Sequence, residues 1–261
     1  MTEKLNTDIS DGIATITFTT PQRHNALDGE VIRKLDAVFE DYPHRQDIRV
    51  VVMKGEGKSF CAGADINWMK EAGDYSADEN IDDARMLADM LYKFYHLPQL
   101  TISCVQGRAL GGGLGLVACS DIVLAERHAS FALPEVKLGL IPATIAPYVM
   151  AAIGARQARR YFQTGEKMTV QRAVDIGLVH ELGEDMDEVN DLLSGLIENM
   201  RSNGPHAMRA SKKLCRDMAG RPIDDDIASE TASRLAIMRS GDEAKEGLKA
   251  FLEKRKPGFA T

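Results

Sequence analysis

Residues 101–105 (TISCV) and 121–125 (DIVLA) are short apolar, β-branched runs, and between them lie Gly107, the unbroken triplet Gly111-Gly112-Gly113, and Gly115. A chain that leaves a buried strand and at once dispenses with Cβ atoms is built for close backbone approach. The triplet opens a short helix, whose first N–H groups have no intrahelical partner and sit at the positive end of the helix dipole. Such groups suit an oxygen on which negative charge develops. The same glycines equally suit a tight turn where backbone meets backbone. Residues 113–118 also satisfy the dinucleotide pattern G-x-G-x-x-A, but Glu126 follows the second glycine by eleven residues, whereas a ribose-binding acid stands roughly 20 further on. The intervening helix has room for about two turns, which the spacing reads as too short to return to a parallel neighbour.

Strand and helix signals alternate on either side of this turn, as in an α/β protein. Residues 13–18 (IATITF) follow the turn Ser10-Asp11-Gly12 with period-two character, so a strand–turn–strand unit is expected. Asp28 stands as the cap of a helix with Val31, Ile32, Leu35, Val38 and Phe39 on one face. Residues 50–53 (VVVM) form a buried strand that halts at Gly55 and Gly57. The last ninety or so residues are helical, with more apolar stripe than one small layer can bury, which points to subunit contacts. The expected division is an α/β core over residues 1–183 and a helical module over 184–261.

Composition narrows the function. The 261 residues carry a formal net charge of -7, which disfavours a nucleic-acid surface. Met1-Thr2-Glu3-Lys4 has no basic region followed by an apolar stretch, and no apolar run nears the roughly 18 residues of a membrane span. The four cysteines, Cys61, Cys104, Cys119 and Cys215, show neither a C-x-x-C pair nor zinc spacing. A cytoplasmic protein without a metal site is expected.

A second small-residue loop follows the strand at 50–53: Ser59-Phe60-Cys61-Ala62-Gly63-Ala64-Asp65. Asp65 can cap a following helix, and Ala62 and Ala64 leave the main chain accessible. Two such loops, each after a buried strand, can bring two N–H groups onto one oxygen. Together with Gly107-Arg108-Ala109-Leu110-Gly111-Gly112-Gly113, this loop resembles the signature of the enoyl-CoA hydratase/isomerase (crotonase) superfamily. The likeness extends to Pro21-x-x-x-Asn25-Ala26-Leu27, Pro134-Glu135, Leu138-Gly139-Leu140-Ile141-Pro142 and the terminal Phe251 to Pro257. The resemblance implies a crotonase-like ββα spiral followed by a helical C-terminal trimerisation module, forming a homotrimer or a dimer of trimers. It implies that Ala64 and Gly112 donate N–H groups to a thioester oxygen and that Ala62 and Asp65 border the adenine of coenzyme A. Arg23, Lys58 and, from a neighbouring subunit, Lys254 are the implied phosphate contacts, although a solvated surface charge accounts for each equally well. Coenzyme A enters as part of the substrate, and no separate cofactor is implied.

Hydratases of this family use two glutamates. Glu135, in Phe131-Ala132-Leu133-Pro134-Glu135, takes the position of one; the other falls on Gly115. A lone carboxylate also resembles the family's delta-3,delta-2-enoyl-CoA isomerases. The segments Ile141-Pro142-Ala143-Thr144-Ile145-Ala146-Pro147-Tyr148 and Asp65-Ile66-Asn67-Trp68-Met69-Lys70 are similar to bacterial methylglutaconyl-CoA and isohexenylglutaconyl-CoA hydratases. That places Trp68 and Met69 on the wall of an acyl pocket, with Gly115 adding space beside the reacting bond. The expectation is a hydratase for a branched glutaconyl-type thioester such as 3-methylglutaconyl-CoA, in leucine degradation. An isomerase, and a non-catalytic RNA-binding or scaffolding relative, are the alternatives.

Overall fold

The computed structural model describes residues 3–260; Met1 and Thr2, at the head of the N-terminal segment considered above, lie outside them. The first turn of the chain is a hairpin of β1 (Leu5–Ser10) and β2 (Ile13–Phe18), closed by Asp11 and Gly12 at positive φ. Helix α1 (Gly29–Asp41) begins at Asp28, whose side chain accepts the N–H groups of Glu30 and Val31. It returns the chain to β3 (Val50–Gly55), parallel to β2. Helices α2 (Ile66–Ala72) and α3 (Ala77–His96) follow, the latter opened by a capping box of Ser76 and Glu79. The chain then makes β4 (Leu100–Val105), β5 (Arg108–Leu110), α4 (Gly112–Cys119), β6 (Ile122–Glu126) and β7 (Ser130–Ala132). After a 3-10 turn at Pro134–Leu138 come α5 (Ala146–Thr164), β8 (Met168–Thr169), α6 (Val170–Asp175) and β9 (Glu181–Gly183).

These strands form two sheets, one ordered β1-β2-β3-β4-β6-β9 and the other β5-β7-β8. Each coil of the spiral contributes a long strand to the first sheet and a short one to the second. The second sheet starts one coil earlier than its named strands, because Cys61 bridges Ala109 in parallel, just as β5 pairs β7. One sequence expectation fails here: β4 and β6 are parallel neighbours. The return is possible because α4 does not cross alone. The chain first steps into the second sheet through β5, so the whole connection exceeds the dozen residues that a parallel crossover needs.

The core lies between sheet and helices. Helix α1 presses Val31, Ile32, Leu35 and Phe39 inward, and Phe39 stacks on Phe94 of α3 with ring centroids 4.7 Å apart, a pairing worth about 0.5–1.5 kcal/mol beyond buried area. Helix α5 is two helical segments that meet at non-helical Gly154 (φ 77°, ψ 151°), the second starting at Ala155. The chain divides into two compact units. One comprises residues up to Leu97 with Thr101–Leu192, the other Pro98–Leu100 with Leu193 onward, so the seam falls inside α7 (Met186–Arg201). The second unit continues through α8 (Pro205–Met218), α9 (Asp225–Ser240) and α10 (Asp242–Leu252). Within it Ile223, Leu235, Ile237, Leu248, Phe251 and Leu252 are all exposed. No helix among the described residues is long and apolar enough to cross a membrane.

Candidate active site

Two backbone loops meet at the start of α4. Leu27 bridges Ala64 in parallel register: Leu27 donates its N–H to Gly63 O at 2.8 Å and accepts from Asp65 N at 2.8 Å. In that pattern the N–H of Ala64 itself points to the other side of the strand. Gly112 is the first residue of α4, so its N–H has no intrahelical acceptor. Neither N–H makes a hydrogen bond among the described residues, and both residues line one pocket. Glycine is required where the loops touch. A Cβ on Gly63 (φ 89°) would lie 2.9 Å from Leu110 O, and one on Gly113 would overlap Cys61 O. Cys61 itself is no nucleophile, since burial pushes its thiol up to about 12.

Glu135 sits in the 3-10 turn at Pro134–Leu138, with Pro134 at its start and left-handed Gly139 (φ 73°) at its end. The turn holds the carboxylate against the glycine triplet: a Cβ on Gly111 (φ 47°) would come within 2.9 Å of Glu135 Oε1. The other oxygen, Oε2, is buried with no hydrogen-bond partner among the described residues. Burial therefore raises the carboxyl above its ordinary value, against a smaller lowering by a backbone N–H. Such a group can hold a proton that an exposed glutamate would have lost.

The pocket these groups share is about 340 Å3. Trp68 and Met69 line it, and so do Leu27, Ile66, Leu87, Leu138, Leu140, Ile141, Pro142, Thr144 and Ile145. Glu135 is the one titratable side chain among the lining residues. Gly115 does not open space here, and the expectation that it would is corrected. It is buried, and any Cβ at 115 would overlap Ile145 Cγ2. Ile145 has taken the volume, so an apolar side chain stands where a second carboxylate was sought. Sequence reading quoted Ile145 within a segment but had no means of pairing it with Gly115, thirty positions away.

The residues expected around coenzyme A are placed separately. Ala62 lines the pocket, its N–H bound to His24 O at 2.9 Å. Asp65 caps α2 through Asn67 N (2.9 Å) and Trp68 N (3.3 Å), and also binds Arg23 Nη2. Arg23 lies 3.7 Å from Asp28 as well. Arg23 and Asp65 line a second, polar cavity of about 400 Å3, whose wall includes Trp68, so Trp68 borders both spaces. Lys58 is exposed on the loop after β3 and lines neither. Lys254 belongs to the second unit, exposed and left-handed at φ 54°.

The family model for enoyl-CoA hydratase/isomerase matches residues 8–261. The chain belongs to the enoyl-CoA hydratase/isomerase (crotonase) family. An enoyl-CoA hydratase from Shewanella pealeana is similar at 38% identity, with a TM-score of 0.94 over 98% of this chain and 96% of that one. Pseudomonas aeruginosa AtuE is similar at 34% identity and TM-score 0.94, covering 99% and 100% of the two chains. Among curated relatives, hydroxycinnamoyl-CoA hydratase-lyase of Pseudomonas fluorescens is 31% identical over 97% of this chain and 94% of its own. The protein is thus an enzyme of the crotonase family, and neither the dinucleotide pattern at 113–118 nor a non-catalytic scaffold describes it.

Proposed function

We propose that this crotonase-family enzyme adds water across the α,β double bond of an acyl-CoA thioester, with Glu135 as its single acid–base group. The observation that carries this is the pairing of one desolvated carboxylate with two unpartnered N–H groups on an otherwise uncharged pocket. Ala64 and Gly112 receive the thioester oxygen. As water oxygen bonds to the β-carbon, the π electrons move toward the α-carbon and the thioester oxygen, where the two N–H groups stabilise the enolate. Protonated Glu135 gives its proton to the α-carbon, and its other oxygen takes one from the attacking water, so the acid ends as it began. Trp68 and Met69 wall the acyl chain, while Arg23, Lys58, Ala62, Asp65 and a neighbour's Lys254 serve the coenzyme A portion.

The proposed substrate class is a β-branched glutaconyl thioester, with 3-methylglutaconyl-CoA as the reference. A β-methyl group stabilises positive character at the carbon that water attacks, which lessens the need for a second base at 115. No cation lines the pocket among the described residues. The mouth is open, with Ile66, Leu138 and Ile141 exposed, so the terminal carboxylate stays in water and avoids burial beside Glu135. A panel of acyl-CoA thioesters followed by loss of the conjugated enoyl absorbance tests this. 3-Methylglutaconyl-CoA should exceed crotonyl-CoA in kcat/KM; a preference of about tenfold the other way, a difference of 1.4 kcal/mol, rejects the substrate class but not hydration. The lone carboxylate also favours a second reading, an isomerase in which Glu135 carries a proton between the α- and γ-carbons. The exposed apolar side chains of the second unit support assembly into trimers or paired trimers; a monomeric mass by light scattering would exclude that.

A further inference from the structure

The loop that leads to Ala64 is held by two buried amides. After β3, the carbonyl groups of Gly55, Glu56, Gly57 and Ser59 turn inward. Asn25 Nδ2 donates to Glu56 O at 2.9 Å and to Ser59 O at 2.7 Å. Gln106 Nε2 donates to Gly55 O, and at longer range to Gly57 O (3.3 Å) and Ser59 O (3.4 Å). The two amides converge on Ser59 O, five residues before Ala64. Asn25 is 1% exposed, and its Oδ1 accepts the N–H of Thr20 at 3.0 Å, so both ends of its side chain are used. It also stands in the left-handed region (φ 56°), directly after His24 (φ 52°). Two successive non-glycine residues in that region are unusual, and asparagine tolerates it best.

The segment so bent runs along the donor loop. His24 O receives Ala62 N, and Leu27 exchanges bonds with Gly63 O and Asp65 N. The position of the Ala64 N–H is therefore set by residues 24–27, and residues 24–27 are tied to the loop behind the donor by Asn25. Only Gly55 permits this approach, since a Cβ there would stand 2.9 Å from Asn25 Nδ2 and 2.7 Å from Phe60 O. We propose that Asn25 is a positioning residue that fixes the Ala64 N–H at the height where it meets the thioester oxygen, with Gln106 as the second half of the clamp. This rests on the reading of Ala64 as a donor given above. Asn25 does not line the pocket.

Asn25→Asp keeps the shape but replaces two donors by an oxygen facing two carbonyl groups. The test binds butyryl-CoA, a saturated thioester isotopically labelled at its carbonyl, and measures the infrared shift of that carbonyl alongside turnover. In the unaltered enzyme the bound carbonyl should shift to lower frequency; no shift there would reject the donor reading itself. Asn25→Asp should lose most of the shift and about 10²-fold in kcat, the scale of a misplaced group, while butyryl-CoA affinity changes little. A folded Asn25→Asp enzyme with the full shift and unchanged kcat overturns the positioning role. Should that variant fail to fold, Gln106→Met provides the same test from the other amide, and an unchanged shift and kcat in it overturn the clamp.

Discussion

On one wall of the pocket the proposed donors, Ala64 and Gly112, are backbone groups fixed by parallel bridges, a helix start and the Asn25–Gln106 clamp. On the other, Glu135 hangs from a single 3-10 turn, with one oxygen beside Gly111 and the other without a hydrogen bond. The donor wall is preorganised because it must present dipoles without reorganising as charge develops. The acid wall leaves Oε2 without a bond because a fully bonded carboxylate would be too weak a base and would not hold a proton. One wall works through dipoles fixed in place by the backbone, the other through a carboxylate oxygen left without a partner.

The largest effect that can break this comparison comes from Glu135→Gln. The amide keeps the shape and loses the proton, so turnover should fall on the order of 10²–10⁴-fold while thioester binding survives; near-normal turnover would reject the assignment. The same variant reads the desolvation. A carboxyl raised by folding favours the protonated form, so its contribution to stability is present below the unfolded value and lost as pH rises through the folded one. Glu135→Gln should therefore melt at a higher temperature than the unaltered enzyme at neutral pH, with the difference vanishing in acid below the unfolded carboxyl range. For the same reason hydration, which begins and ends with the protonated acid, should weaken as pH rises through that raised value, and dehydration, which passes through the same states in reverse, should weaken with it.

Next in size is Gly112→Pro. Position 112 is the first residue of α4, where proline is tolerated best and where the lost N–H has no acceptor in the fold. The variant should fold and lose about 10²–10³-fold in kcat, the scale for one oxyanion donor. Full activity in a folded variant would show that the wall does not need this group.

Smaller still is the packing effect behind the walls. Gly115→Ala forces a methyl group into Ile145 and should cost about 1–3 kcal/mol of stability. Adding Ile145→Ala should recover part of that, because the two positions share one volume and their effects cannot add. Additive losses in chemical denaturation would show that Ile145 does not fill the space beside Gly115.

The donor wall was legible in the sequence because its requirements are local. Gly63 and the triplet at 111–113 are spaced by the loops they serve, and small residues with free N–H groups announce backbone chemistry. Asp28 and Asp65 were likewise readable as caps, since a cap and its helix are adjacent. The acid wall was legible only through family likeness, because nothing local marks Glu135 as desolvated. What sequence could not give was tertiary. The overlap of Ile145 with position 115, the parallel pairing of β4 and β6 by way of β5, and the convergence of Asn25 and Gln106 on Ser59 all join residues far apart in the chain.

The most direct test of the two-wall account is the fate of solvent oxygen. The enzyme and Glu135→Gln would each be incubated with 3-methylglutaconyl-CoA in water enriched in heavy oxygen, and the thioester products weighed by mass spectrometry. The account predicts a product heavier by one labelled water, with the hydroxyl on the β-carbon, formed by the unaltered enzyme and nearly absent with the variant. A product of unchanged mass with a displaced double bond would make Glu135 a proton shuttle between carbons, and labelled product formed equally by both proteins would remove Glu135 from the chemistry.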